Sequence, residues 1–114
     1  MTGLYTEITN FLPYMSGKEC RYCMDAFIEA IYKFEEEYPE YQLTKYGEIL
    51  KKYGIEWEFE SMESVNVSSM DGQGVMALLM AAVRADRFYG GTLMGFQEKG
   101  CLEKWVRRLL ELDE

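Results

Sequence analysis

Cys20 and Cys23 stand in the string "CRYC", a C-x-x-C spacing that puts two sulfurs on one face of a helix. The exposed amides of a first helical turn favour a thiolate, which is how such pairs become reactive in thiol redox chemistry. Two features weigh against that use. Ser16 and Glu19 have the spacing of a capping box, which places Cys20 about one turn inside the helix. Both cysteines also share an apolar stripe with Phe27 and Ile31. Core packing is therefore the expected role of Cys20 and Cys23, with redox activity as the alternative. No metal centre is expected, because Cys101 is only a third thiol and the chain has no histidine.

The lack of histidine also excludes an imidazole general base and any triad built on one. The strings "DGQG" and "YGGTLMG" lack the lysine and the glycine spacing of phosphate-binding loops and dinucleotide fingerprints, so their glycines read as turns and helix ends. No cofactor and no catalytic residue is expected.

Arg84 and Arg87 pose a different question. They follow directly on "VMALLMAAV", precede a Tyr-Gly-Gly break, and lie one helical turn apart on a face shared with Met80, Ala81 and Ala77. A partly buried guanidinium needs fixed acceptors, and the candidates are Asp86, Glu98 and the run Glu35 to Glu37. The expectation is a structural clamp involving Arg84, Arg87 and Glu98. The alternative is an anion-binding pocket in which both arginines hold a phosphate or carboxylate. The glutamate run itself, with Glu40 beyond it, reads as a solvated helix end, since consecutive helical glutamates point in different directions and make a poor calcium site.

The elements that must position these residues follow from periodicity. A helix over 17–37 carries Met24, Phe27, Ile31 and Phe34 on its inner stripe and ends before Pro39. A shorter helix over 4–12 would bury Leu4, Ile8, Phe11 and Leu12. Residues 41–53 repeat apolar positions at helical spacing and stop at Gly54. Next, "IEWEFE" alternates strictly, which predicts a short extended segment, or a hairpin with "SVNVS", within 55–67. Asp71 caps a helix over 72–88 whose middle, Val75 to Val83, is uncharged on every face and so forms the buried centre. After Gly90 and Gly91, "TLMGFQEK" forms about two turns. The chain then closes with an amphipathic helix directing Leu102, Trp105, Val106, Leu109 and Leu110 inward. These segments predict a single all-α domain over 1–114, a compact bundle of about five to six helices.

Composition narrows the partners. Twelve basic against 20 acidic residues give a formal charge of −8. The excess sits in residues 1–67, with 6 basic and 13 acidic groups, against 6 and 7 in residues 68–114. Such a surface repels phosphate, so neither nucleic acid nor an anionic membrane is an expected partner. No signal segment or membrane-length apolar run is visible, and three cysteines suit free thiols, so a cytoplasmic protein is expected.

The order of an apolar helix, R-x-x-R-F-x-x-G (Arg84, Arg87, Phe88, Gly91), a short helix ending in Glu98-x-Gly100, and a terminal helix closing in "LLELDE" resembles a family of small bacterial proteins catalogued as a domain of unknown function. The likeness covers residues 70–114 well and the first half loosely. It implies an all-helical fold and carries no activity with it.

The reading that these features support is a small cytoplasmic protein acting by binding, as an interaction or regulatory accessory module with an unknown protein partner. Thiol redox chemistry at Cys20 and Cys23 and anion binding at the paired arginines are the alternatives, and an acidic mimic of nucleic acid is a third. A homodimer is a further expectation, because Trp57, Phe59 and the stripe containing Trp105 offer more apolar surface than a chain this short readily covers.

Overall fold

The computed structural model describes residues 3–15 and 20–113, the side chains of residues 20–23 excepted. Ser16, Glu19 and the side chains of Cys20 and Cys23 therefore lie outside the described residues. The described chain is all-α. It contains seven α-helices: α1 (Thr6–Thr9), α2 (Cys20–Glu37), α3 (Tyr46–Lys52), α4 (Phe59–Glu63), α5 (Gly72–Phe88), α6 (Thr92–Glu98) and α7 (Cys101–Asp113). Short 3-10 turns at Leu12–Tyr14, Pro39–Tyr41, Leu43–Lys45 and Val67–Ser69 join them. The count exceeds the predicted five to six because α4, of 5 residues, is too short for periodicity to reveal.

The centre is α5. Every side chain from Val75 to Val83 is buried, and α2, α3, α6 and α7 all pack against it. A helix that is apolar all round can only be stable where neighbours cover each face, and here four of them do. Its start is fixed by Asp71, whose Oδ1 accepts from the Gly74 N–H at 2.8 Å and from the Tyr53 hydroxyl at 2.6 Å. A Cβ on Gly72 would land on the Tyr5 hydroxyl, so the first turn needs glycine there for close packing. That hydroxyl bonds Tyr41 at 2.7 Å, while the Tyr5 N–H donates to Asp113 Oδ2 at 3.0 Å and ties α1 to the end of α7.

Several boundaries differ from expectation. The predicted helix over 4–12 is cut to α1 and a separate 3-10 turn that contains Pro13, which leaves Leu4 exposed and only Ile8 fully buried. The predicted helix over 41–53 begins as 3-10 structure after Gln42, a non-glycine residue with φ 54°, and becomes α3 only at Tyr46. On α7, Leu110 faces solvent, whereas Leu102, Trp105, Val106 and Leu109 are buried as expected.

The largest correction concerns 55–67, where no extended pair or hairpin forms. The stretch that would have been the partner strand is a turn: Asn66 Oδ1 captures the Ser68 N–H at 3.0 Å and opens a 3-10 turn. With no partner, the alternating segment bonds locally instead. The Glu56 N–H donates to Ser61 Oγ at 3.0 Å, and Glu58, itself extended, leads into α4.

Candidate functional site

Apolar groups concentrate where α4, the end of α5 and the start of α6 converge. Helix α5 outruns the core at its last turn, so Phe88 and Tyr89 project into solvent with 71% and 76% of their surface exposed. Gly91, at φ 93°, then turns the chain into α6, a conformation that L side chains adopt only with strain. Asp86 secures the corner, its Oδ1 accepting from the Gly91 N–H at 3.2 Å and the Leu93 N–H at 3.0 Å. Asp86 was a candidate acceptor for the arginines. Its described hydrogen bonds go to this corner.

Trp57 stands beside Phe88. Its indole N–H donates to the Ala81 carbonyl oxygen at 3.0 Å, and its ring meets Tyr46 and Phe88 edge-on, with centroids 5.5 and 6.4 Å apart. Trp57 is nevertheless 45% exposed. An aromatic group both exposed and fixed loses little further conformational freedom on contact with another molecule. Between these elements lies a cleft of about 420 Å³, lined by Trp57, Phe59, Tyr89 and Phe96 with Glu58 among them. Phe59 stacks on Phe96 at 4.3 Å, and Phe96 in turn packs on Trp105 at 5.1 Å, so the cleft is anchored in the core. Glu58 in the lining and its sequence neighbours Glu56 and Glu60 are all exposed, and none has an ion-pair partner among the described residues.

Arg84 and Arg87 part company. Arg87 is exposed, and Arg84 is half-buried with its guanidinium over the Tyr32 ring, 5.4 Å from the centroid. Arg84 Nε and the Tyr32 hydroxyl are buried without hydrogen-bond partners among the described residues. Glu98 is exposed, and among the described residues neither arginine forms an ion pair with it or with any other carboxylate. The glutamate run on α2 is met by Lys33, at 3.6 Å from Glu37 and 3.2 Å from Glu7. The hydrogen bond to Glu7 raises the Lys33 pKa.

Cys101 is a free, buried thiol, its pKa pushed up first by burial and then by Glu63, which disfavours a reactive thiolate. Among the described residues no three Cys, Asp or Glu side chains gather as a metal site would require. No described helix is long and apolar enough to cross a membrane.

Trp57 and Phe59 stood out in the sequence as apolar residues between glutamates. Phe88 entered only as part of the arginine motif and Tyr89 only in the Tyr-Gly-Gly break, neither as an exposed surface residue. The available signal was two aromatic residues immediately before a Gly-Gly break, where a helix ends and its last side chains can overhang the core. Compared with protein-family models, curated proteins and solved structures, the chain matches none. The likeness carried by Arg84, Arg87, Phe88, Gly91, Glu98, Gly100 and residues 109–114 therefore rests on those sequence features alone.

Proposed function

We propose that the protein acts by binding another protein through the cleft between α4, α5 and α6. The observation that carries this reading is the set of three large aromatic side chains, Trp57, Phe88 and Tyr89, exposed together beside an apolar cleft, while the other described aromatics, Tyr14 and Tyr53 apart, are buried or partly buried. Contiguous exposed apolar surface is uncommon on a monomer and marks contact sites, and Trp and Tyr are the side chains that most often dominate protein interfaces. The reading also answers where the apolar surplus noted in the sequence lies. Trp105 is only 1% exposed, so the terminal helix contributes none of it through that residue.

The test separates binding from folding. Phe88→Ser with Tyr89→Ser should change stability by no more than about 0.5 kcal/mol, because neither side chain is buried. Affinity capture from a lysate of the native host should then retain a defined protein on the wild type and lose it on this double variant. A control substitution on a distant exposed face, such as Lys51→Ser, should leave capture intact. Equal capture by all three proteins would refute the assignment of the cleft.

A further inference from the structure

The cleft's chemistry says what kind of segment it receives. Its accessible lining is largely aromatic, from Trp57, Phe59 and Tyr89, and the charged group among its lining residues is the carboxylate of Glu58. Glu56 and Glu60 flank Glu58 in sequence, and all three are exposed and without an ion-pair partner among the described residues. No Lys or Arg is among the lining residues, and exposed Arg87 is on the last turn of α5. The negative faces of aromatic rings attract a cation, and a carboxylate at their edge fixes it. A Lys or Arg side chain suits both, since its methylene stem lies along apolar surface while its head reaches the acid.

Resting on the docking role proposed above, we infer that the occupant is a segment of a partner protein in which bulky apolar residues are flanked by Lys or Arg. The apolar side chains enter between Trp57, Phe59 and Tyr89, above the buried Phe96, and the basic ones meet Glu58 and its sequence neighbours Glu56 and Glu60. A second copy of this chain fits the surface poorly. Its formal charge is −8, so two copies repel each other, and a symmetric pairing through the cleft would bring Glu58 against Glu58.

Two blocked hexapeptides probe this directly, one with a Leu-Phe pair flanked on each side by two lysines, the other with glutamates in place of the lysines. The indole N–H signal of Trp57, identified by its loss in Trp57→Phe, reports cleft occupancy in amide NMR spectra, and buried Trp105 serves as the internal reference. The lysine peptide should shift the Trp57 signal at low salt and less at high salt. The shift should vanish in Phe88→Ser/Tyr89→Ser, and the combined Glu56→Gln, Glu58→Gln, Glu60→Gln variant should weaken binding roughly tenfold. Equal binding of both peptides through Trp57 would overturn the charge assignment while leaving the cleft as a docking site. Undiminished binding of the lysine peptide to the serine variant would show charge-only association elsewhere and overturn the inference. So would a Trp57 signal that neither peptide moves; the cleft's docking role is judged separately, by the capture experiment. Light scattering completes the set: a wild-type dimer that becomes a monomer on Phe88→Ser/Tyr89→Ser would make the occupant a second copy and refute a basic partner.

Discussion

Asp71→Ala should destabilise the protein by about 2 kcal/mol, and the reason lies in how little else holds the start of α5. The first turn is Gly72, Gln73 and Gly74. Two glycines in one turn are costly for a helix, yet neither is free to change, since a Cβ on Gly72 meets the Tyr5 hydroxyl and one on Gly74 meets the Tyr53 ring. The turn therefore depends on its cap. Removing the Asp71 carboxylate deletes the acceptor of the Gly74 N–H, worth about 1 kcal/mol. It also deletes a negative charge from the helix start, worth roughly 0.5 kcal/mol. The Tyr53 hydroxyl loses its 2.6 Å partner, and since Tyr53 is exposed water replaces most of that bond, leaving about 0.5 kcal/mol. For a domain of this size the sum lowers Tm by roughly 8 °C. Urea unfolding followed by circular dichroism measures the free energy, with three comparisons to apportion it. Asp71→Asn keeps an acceptor and should recover about half the loss. Tyr53→Phe should cost only about 0.5 kcal/mol, and the double variant should reveal a coupling of similar size. A loss below about 0.5 kcal/mol in Asp71→Ala, or Asp71→Asn as damaging as Asp71→Ala, would refute the argument that this one side chain anchors the central helix.

The same Tyr53–Asp71 contact predicts a pH dependence. It is the main cause that raises the Tyr53 pKa from 10.0 to about 12, so its stabilisation is present below pH 10 and is lost as pH rises to about 12. Solvent screening of this exposed group keeps the effect below about 1 kcal/mol, and the difference between wild type and Tyr53→Phe in urea titrations across that window isolates it from Tyr5, whose pKa burial also raises. Arg87→Ala should be nearly neutral, within about 0.5 kcal/mol, because the side chain is exposed and has no ion pair among the described residues; a loss above about 3 kcal/mol in thermal melts would restore it as a clamp. Arg84→Met should be neutral or mildly stabilising, by up to about 1 kcal/mol, since it keeps the buried stem and removes an unpartnered Nε at the expense of the contact with Tyr32. A strong loss in the same melts would mean the guanidinium has a partner that matters. Cys101 should resist a thiol reagent in the native protein and react once urea unfolds the chain, read by mass of the Cys101 peptide; fast native labelling would contradict its burial.

The all-α class was legible because helices announce themselves twice, in the period of their buried side chains and in the residues that stop them. Helix α5 shows both, with an uncharged run from Val75 to Val83 and a cap at Asp71 that the structure places where the sequence puts it. Gly54, Gly91 and Gly100 all have positive φ, and each follows a helix as its position predicts. The stretch 55–67 misled for a physical reason. Alternation records which side chains prefer an apolar side, and it says nothing about whether a partner strand exists to satisfy the backbone. Ile55 is buried and Trp57 lies on the surface, so even the alternation described two different environments with one pattern.

The cleft was harder to read than the fold, because a surface site is defined by what the core leaves uncovered, and a local pattern is blind to that. Phe88 continues the apolar pattern of α5 as faithfully as Val83 does, yet Val83 is buried and Phe88 is not. The difference is set by neighbours remote in sequence. Met80 and Val83 sit within the core, while one turn later α5 runs past it, and Asp86 and Gly91 turn the chain aside to begin α6 before anything covers Phe88 and Tyr89. The turn that strips these aromatics of cover also places α6, with Phe96, opposite α4, with Phe59, and so builds the cleft between them. Substitutions that loosen the corner should therefore damage the cleft more than the fold. Asp86→Ala leaves the apolar centre of α5 untouched and removes the acceptor shared by the Gly91 and Leu93 N–H groups, which costs about 1 to 2 kcal/mol. Its effect on the Trp57 indole signal and on capture through the cleft should exceed what that modest loss implies. If Asp86→Ala lowered stability by that amount and left both readouts unchanged, the corner would not be what shapes the site.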